Sequence, residues 1–187
     1  MPKIEINGAA VHYQIHGAGP ETIVFAHGLL WSERIFNDQV AALKNRYRCV
    51  TFDFRGQGKT EVTRTGYDIE TLFSDTVGLI EALGAVPCHF VGVSMGGIIG
   101  LRIALRRPEL LKSLALFATS ADAETDENKR RYDEDGAISQ ERAKRIHSQI
   151  SGSKLVVLPR AGHTPTVEEP AAVNGLLGDF LSQGVQS

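Results

Sequence analysis

Short apolar runs alternate with amphipathic stretches along most of the chain. Thr22–Ala26, Arg48–Phe52, His89–Val93, Ser113–Phe117 and Lys154–Leu158 are largely apolar runs of strand length, as expected of strands covered on both faces. Lys3–Ile6 and Ala10–His16 flank Asn7-Gly8 and read as a hairpin, because a tight turn needs positive φ and Asn-Gly supplies it. Between the runs lie helical patterns. Asn37–Asn45 is one; Ile69, Leu72, Phe73, Leu79, Ile80 and Leu83 recur at helical spacing after Asp68, a capping residue, and stop at Gly84. Met95–Arg106 ends before Pro108, Ser139–Ile150 is a further helix, and Glu169–Gln183 closes the series with Pro170 near its start. Strands alternating with helices predict a mostly parallel sheet with helices on both faces, an α/β fold in a single domain over residues 1–187.

In such sheets chemistry gathers at the carboxyl ends of the strands. His27-Gly28, Asp53, Ser94 and Gly162-His163 all fall at such ends. Gly92-Val93-Ser94-Met95-Gly96 fits a G-x-S-x-G turn between strand and helix. A serine there is held in strained geometry and needs nearly side-chain-free neighbours two positions away. Ser94 is the expected nucleophile. A serine hydroxyl needs a base within hydrogen-bond reach, and His163 is the expected one. His12, His16, His89 and His147 lie in the hairpin, a strand and a helix, where structural roles are expected. The tetrahedral intermediate of acyl transfer needs two N–H donors. Met95, directly after the nucleophile, and Leu29, in the loop His27-Gly28-Leu29-Leu30, are assigned to it, with Trp31 lining the acyl pocket.

Composition narrows the partners. Hydrophobic residues make up 42% and charged residues 22%, which excludes a disordered chain. The formal net charge is −2 and no basic stripe carries interleaved aromatics, so nucleic acid is not expected as a partner. Lys129-Arg130-Arg131 is followed by Asp133, Glu134 and Asp135 and reads as a solvated loop. No apolar run reaches membrane-span length and the N-terminus lacks an apolar leader core, so no membrane partner and a cytoplasmic location are expected. Cys49 and Cys88 are expected as buried free thiols. Neither has a Cys or His at metal-ligand spacing, so no metal and no cofactor are anticipated.

His27-Gly28-Leu29-Leu30-Trp31, Asp53-Phe54-Arg55-Gly56-Gln57-Gly58, the Ser94 turn, and Gly162-His163 with Glu168-Glu169-Pro170 stand in this order along the chain. Together they resemble the α/β-hydrolase superfamily, in a branch of small bacterial esterases, perhydrolases, lactonases and carbon–carbon bond hydrolases. The resemblance implies that Ser94 and His163 are nucleophile and base, that Leu29 and Met95 supply the oxyanion hole, and that Asp53 and Arg55 brace the active-site loops. It implies a serine esterase acting on small carboxylic esters. The remaining activities of the branch are alternatives, as is a weakened or truncated hydrolase-fold scaffold or binding protein.

The departure from the family lies between Phe117 and Ser139. A cap of several dozen residues is reduced to a remnant at about 120–132, and the strand before the catalytic acid is missing. The fold is therefore expected to be capless and one strand short. The resemblance places the acid at Asp135, with Asp122 the rival and Asp126 and Asp133 further candidates. With that strand absent, Lys154–Leu158 is expected to pair directly and in parallel with Ser113–Phe117, residues 120–153 forming a right-handed crossover. The alternative is a homodimer built through the exposed or exchanged strand edge.

Overall fold

The computed structural model describes residues 2–119 and 140–182. The hairpin forms as the Asn-Gly turn dictates: β1 (Lys3–Ile6) and β2 (Ala9–His16) pair antiparallel around Asn7 and Gly8, both at positive φ. The chain then alternates through β3 (Thr22–Ala26), α1 (Asn37–Leu43), β4 (Arg48–Phe52), α2 (Ile69–Ala82), β5 (Cys88–Val93), α3 (Met95–Arg106) and β6 (Leu111–Phe117). After α4 (Gln140–Gln149), the short α5 (Pro165–Glu168) leads into α6 (Pro170–Ser182). The Asp68 side chain caps α2 by accepting the Thr71 N–H at 2.9 Å, and Gly84 follows the helix at φ 59°.

The six strands are ordered β1-β2-β4-β3-β5-β6. β4, β3, β5 and β6 run parallel, and β2 joins β4 antiparallel. Side-chain alternation along β3 separates two cores. Val24 and Ala26 pack with Ile80, Phe90, Ile99 and Ile103 beneath α2 and α3, whereas Ile23 and Phe25 pack with Phe36, Val40, Leu177 and Leu181 beneath α1 and α6. β3 and β5 form the buried middle of the sheet, and their carboxyl ends carry His27 and Ser94.

One expectation fails. Lys154–Leu158 is not a strand and forms no ladder with β6; Val156 and Val157 are 44% and 45% exposed. Among the described residues β6 pairs with β5 alone, and all seven of its residues are only half-buried. The physical reason lies downstream. His163 Nε2 already stands 3.1 Å from Ser94 Oγ with this segment off the sheet. The loop that delivers His163 therefore reaches Ser94 without a ladder between this segment and β6, and the exposure of Val156 and Val157 shows that the apolar run is not buried as an inner strand would be. The cap remnant, the cap position Ser139 and the carboxylates Asp122, Asp126, Asp133 and Asp135 lie outside the described residues.

Phe90 is fully buried between the central strands and α3. Phe90→Ala is expected to destabilise the fold by about 3–5 kcal/mol. Urea unfolding should show the midpoint falling while the slope stays constant; a change below about 1 kcal/mol would mean the site relaxes around the loss.

Candidate active site

The β5–α3 turn places Ser94 at φ 52°, ψ −116°, a conformation rarely adopted by a residue with a side chain. Two backbone bonds and one from a side chain hold it there. Ser94 N–H donates to the Phe117 carbonyl at 2.9 Å, Thr119 Oγ1 donates to the Ser94 carbonyl at 2.8 Å, and Gly96 N–H donates to the His27 carbonyl at 3.1 Å. The turn is crowded: a Cβ on Gly96 would run into the Ala26 carbonyl, and one on Gly92 into the backbone at Gly96. The need for glycine on both sides of the serine is therefore steric. Met95, first in α3, has no helical partner for its N–H, so the helix start presents free donor capacity beside Ser94.

His163 reaches this point from the loop before α5. Its Nε2 lies 3.1 Å from Ser94 Oγ, and its ring packs against Trp31 with centroids 5.6 Å apart. The loop is held by Glu168, whose carboxylate accepts the N–H groups of Gly162 and of Thr164 (2.8 Å) and the Thr164 hydroxyl at 2.5 Å. These bonds hold the Glu168 carboxyl below the usual carboxylate range. Sequence reading placed Glu168 inside the family motif without a role; a carboxylate a few residues after a histidine loop, able to reach back to its amides, is the signal it offered. Thr119 likewise escaped notice. Burial lowers the His163 pKa, and the Glu168 charge opposes this more weakly, so the ring favours its neutral form.

His27 is a different kind of histidine. Phe54 N–H donates to its Nε2 at 3.1 Å, so that nitrogen carries no hydrogen. Its Nδ1–H donates to the Gly28 carbonyl at 2.6 Å. Both nitrogens are used, burial pushes the pKa down, and the ring acts as a clamp. Because the peptide unit is planar and trans, fixing the Gly28 carbonyl also fixes the Leu29 N–H on the opposite side. The loop runs close to Ser94: a Cβ on Gly28 would sit 3.3 Å from Ser94 Cβ and 2.6 Å from the Trp31 ring. The Leu29 side chain is largely exposed.

The Asp53–Gly58 loop braces these parts. Asp53 accepts the N–H groups of Glu33 at 2.7 Å and Lys59 at 2.8 Å, and Arg55 forms a buried two-toothed ion pair with Asp75 at 2.8 and 2.9 Å. Among the described residues the one grouping of metal-ligating side chains is His12, Glu33 and Asp53, which excludes both Ser94 and His163. Cys49 and Cys88 are free and buried, and burial pushes their thiols up to about 11 and about 12. No helix among the described residues is long and apolar enough to cross a membrane.

A family model for the alpha/beta hydrolase fold matches residues 21–137. The chain belongs to that family. Relatives of this α/β hydrolase include a putative carbamate hydrolase, RutD, of Stutzerimonas stutzeri, 37% identical over 108 residues, which are 56% of this chain and 41% of the relative. A putative non-heme bromoperoxidase, BpoC, of Mycobacterium tuberculosis is 41% identical over 109 residues, 57% of this chain and 41% of that protein. The chain thus spans about two fifths of the length of the curated relatives it matches. The enol-lactonase of Burkholderia xenovorans superposes with TM-score 0.85 at 22% identity, covering 97% of this chain and 100% of that one. A thermophilic esterase of Thermogutta terrifontis gives 0.87 at 19%, covering 98% and 99%. At such identities the superpositions establish the α/β-hydrolase fold alone.

The downward shift at His163 sets a pH dependence. Were His163 the base, the working form would be its neutral ring, and activity would be lost as pH falls and the ring takes up a proton. Because burial lowers that pKa, kcat/KM should rise with pH, half-maximal below the ordinary imidazole value of 6.5, and be level from neutrality to pH 8. A midpoint well above 6.5 would show that another group limits the rate.

Proposed function

We propose that this chain is a serine hydrolase that cleaves small carboxylic esters through an acyl-enzyme. The observation that carries the reading is the hydrogen bond between Ser94 Oγ and His163 Nε2 at 3.1 Å, made by a serine held at positive φ on a helix start. His163 Nε2 takes the hydroxyl proton as Oγ bonds to the carbonyl carbon. The carbonyl π electrons move onto oxygen, where the N–H groups of Met95 and Leu29 receive the charge. As the intermediate collapses, the imidazolium gives its proton to the departing alkoxide. Water, deprotonated by the same ring, then releases the acid and restores Ser94.

The activities named for the similar proteins, a putative carbamate hydrolase, a lactonase and an esterase, all act at an acyl carbon and support this class of substrate. Trp31, in contact with the His163 ring and the Gly28 position, is the wall on which the acyl group would rest. A carboxylate on His163 Nδ1 would hold the tautomer in which Nε2 is free to accept the Ser94 proton. Asp135 is our assignment for it, with Asp122 the rival. A second reading, a hydrolase fold without turnover, is favoured by the segment Lys154–Leu158 lying off the sheet.

Covalent labelling separates the two readings. A fluorophosphonate should label the wild type and not Ser94→Ala, and the variant should lose hydrolysis of p-nitrophenyl acetate down to residual oxyanion-hole catalysis. Near-normal turnover in folded Ser94→Ala would end the proposal, and an unreactive Ser94 in the wild type would favour the inert fold. For the acid, Asp135→Asn should lower kcat on the order of 10⁴-fold, with Asp122→Asn far milder. The reverse ranking would transfer the role to Asp122.

A further inference from the structure

A second polar cluster is buried behind the His27 clamp, and the reaction has no use for it. His12 on β2 is fully buried, and its Nδ1 lies 3.2 Å from the Pro2 carbonyl. A carbonyl oxygen can only accept, so Nδ1 carries the hydrogen and Nε2 is left as a bare lone pair. That nitrogen is buried and has no hydrogen-bond partner. Ligand atoms of His12, Glu33 and Asp53 lie within 4.8 Å of one another, and all three residues are buried. With Nδ1 committed to Pro2, Nε2 is the ring atom able to bind a cation.

The carboxylates have partners that fix their orientation. Asp53 takes the N–H groups of Glu33 and Lys59, and Glu33 Oε1 takes Gln14 Nε2 at 2.9 Å and Lys59 Nζ at 3.4 Å. Each Asp53 oxygen keeps a further lone pair, and Glu33 keeps acceptor capacity on Oε2. Three acceptors thus gather in a water-poor interior, an arrangement that is unfavourable until something positive sits among them. Lys59 compensates one of the two negative charges from the edge, and its side chain is 37% exposed. A divalent ion would compensate both and release Lys59 to water.

We propose that His12 Nε2, Glu33 and Asp53 bind one divalent first-row transition cation. Imidazole nitrogen with two carboxylates suits zinc or manganese better than magnesium or calcium. Bonds of about 2.1 Å put neighbouring ligands about 3.4 Å apart around a tetrahedral centre, so small side-chain movements close the set. The ion would tie β2, the turn at Glu33 and the end of β4 together, immediately behind His27, whose Nε2 lies 3.9 Å from Asp53 Oδ1. Its part is to stiffen the base of the active-site loop. Sequence spacing conceals this set, because the three ligands come from three separate elements.

The test uses the full chain, treated with chelator, dialysed and titrated separately with Zn²⁺ and Mn²⁺, with metal content, calorimetry and thermal melting as readouts. The wild type should take up one equivalent of at least one of the two ions and melt higher with it. His12→Gln and Glu33→Gln should each lose that equivalent, whereas the exposed-helix control His147→Gln keeps it. Lys59→Met, which removes the competing ammonium, should bind more tightly. No uptake of either ion by the wild type, the same stoichiometry in folded His12→Gln, or weaker or unchanged affinity in Lys59→Met would each overturn the proposal. The Lys59→Met arm decides the matter should the buried-ligand variants fail to fold.

Discussion

The positive φ at Ser94 is the constraint on which the rest of the site depends. A side-chain-bearing residue in that region costs of order 1–3 kcal/mol, and only an over-determined surrounding can hold it. Here the surrounding comes from three directions. The end of β6 supplies the Phe117 carbonyl and Thr119, the end of β3 supplies the His27 carbonyl, and glycines on either side let the backbones meet. The sheet register sets all of these at once, because β3 and β6 flank β5 with Ala26 beside Gly92 and Phe117 beside Val93. The geometry at Ser94 is thus a property of three strands.

Two histidines show how placement divides labour. His27 has both nitrogens engaged by backbone and serves to fix a peptide plane. His163 offers Nε2 to a hydroxyl and is kept on station by a carboxylate that binds the loop's amides. The chemistry of the imidazole is the same; the difference lies in whether a lone pair is left for the reacting proton. The carboxylates divide in the same way. Asp53 and Glu168 spend their charge on backbone N–H groups, the means by which irregular loops near a sheet edge become rigid.

What was legible in the sequence was what local chemistry specifies. Asn7-Gly8, the Asp68 cap, the glycines around Ser94 and the apolar runs of the inner strands each act within a few residues, and each is found where the pattern placed it. The Lys154–Leu158 run misled for a reason of the same kind. An apolar run says that a segment can enter a sheet, but a strand exists only when a partner edge is within reach in register. Here the segment lies off β6 while the loop after it still brings His163 to Ser94. The Glu168 clamp and the facing of His12, Glu33 and Asp53 depend on contacts between elements, and no periodicity encodes them.

The contact between Trp31 and His163 has a practical side. Trp31 is the only tryptophan in the chain, and its ring centroid lies 5.6 Å from that of the proposed base. An imidazolium quenches indole emission more strongly than a neutral imidazole does. The protein therefore carries a native optical reporter whose brightness follows the charge on His163 and the arrival of any group that parts the two rings. Protonation of His163 and the arrival of a ligand beside it would thus be open to reading in unlabelled protein, separately from turnover.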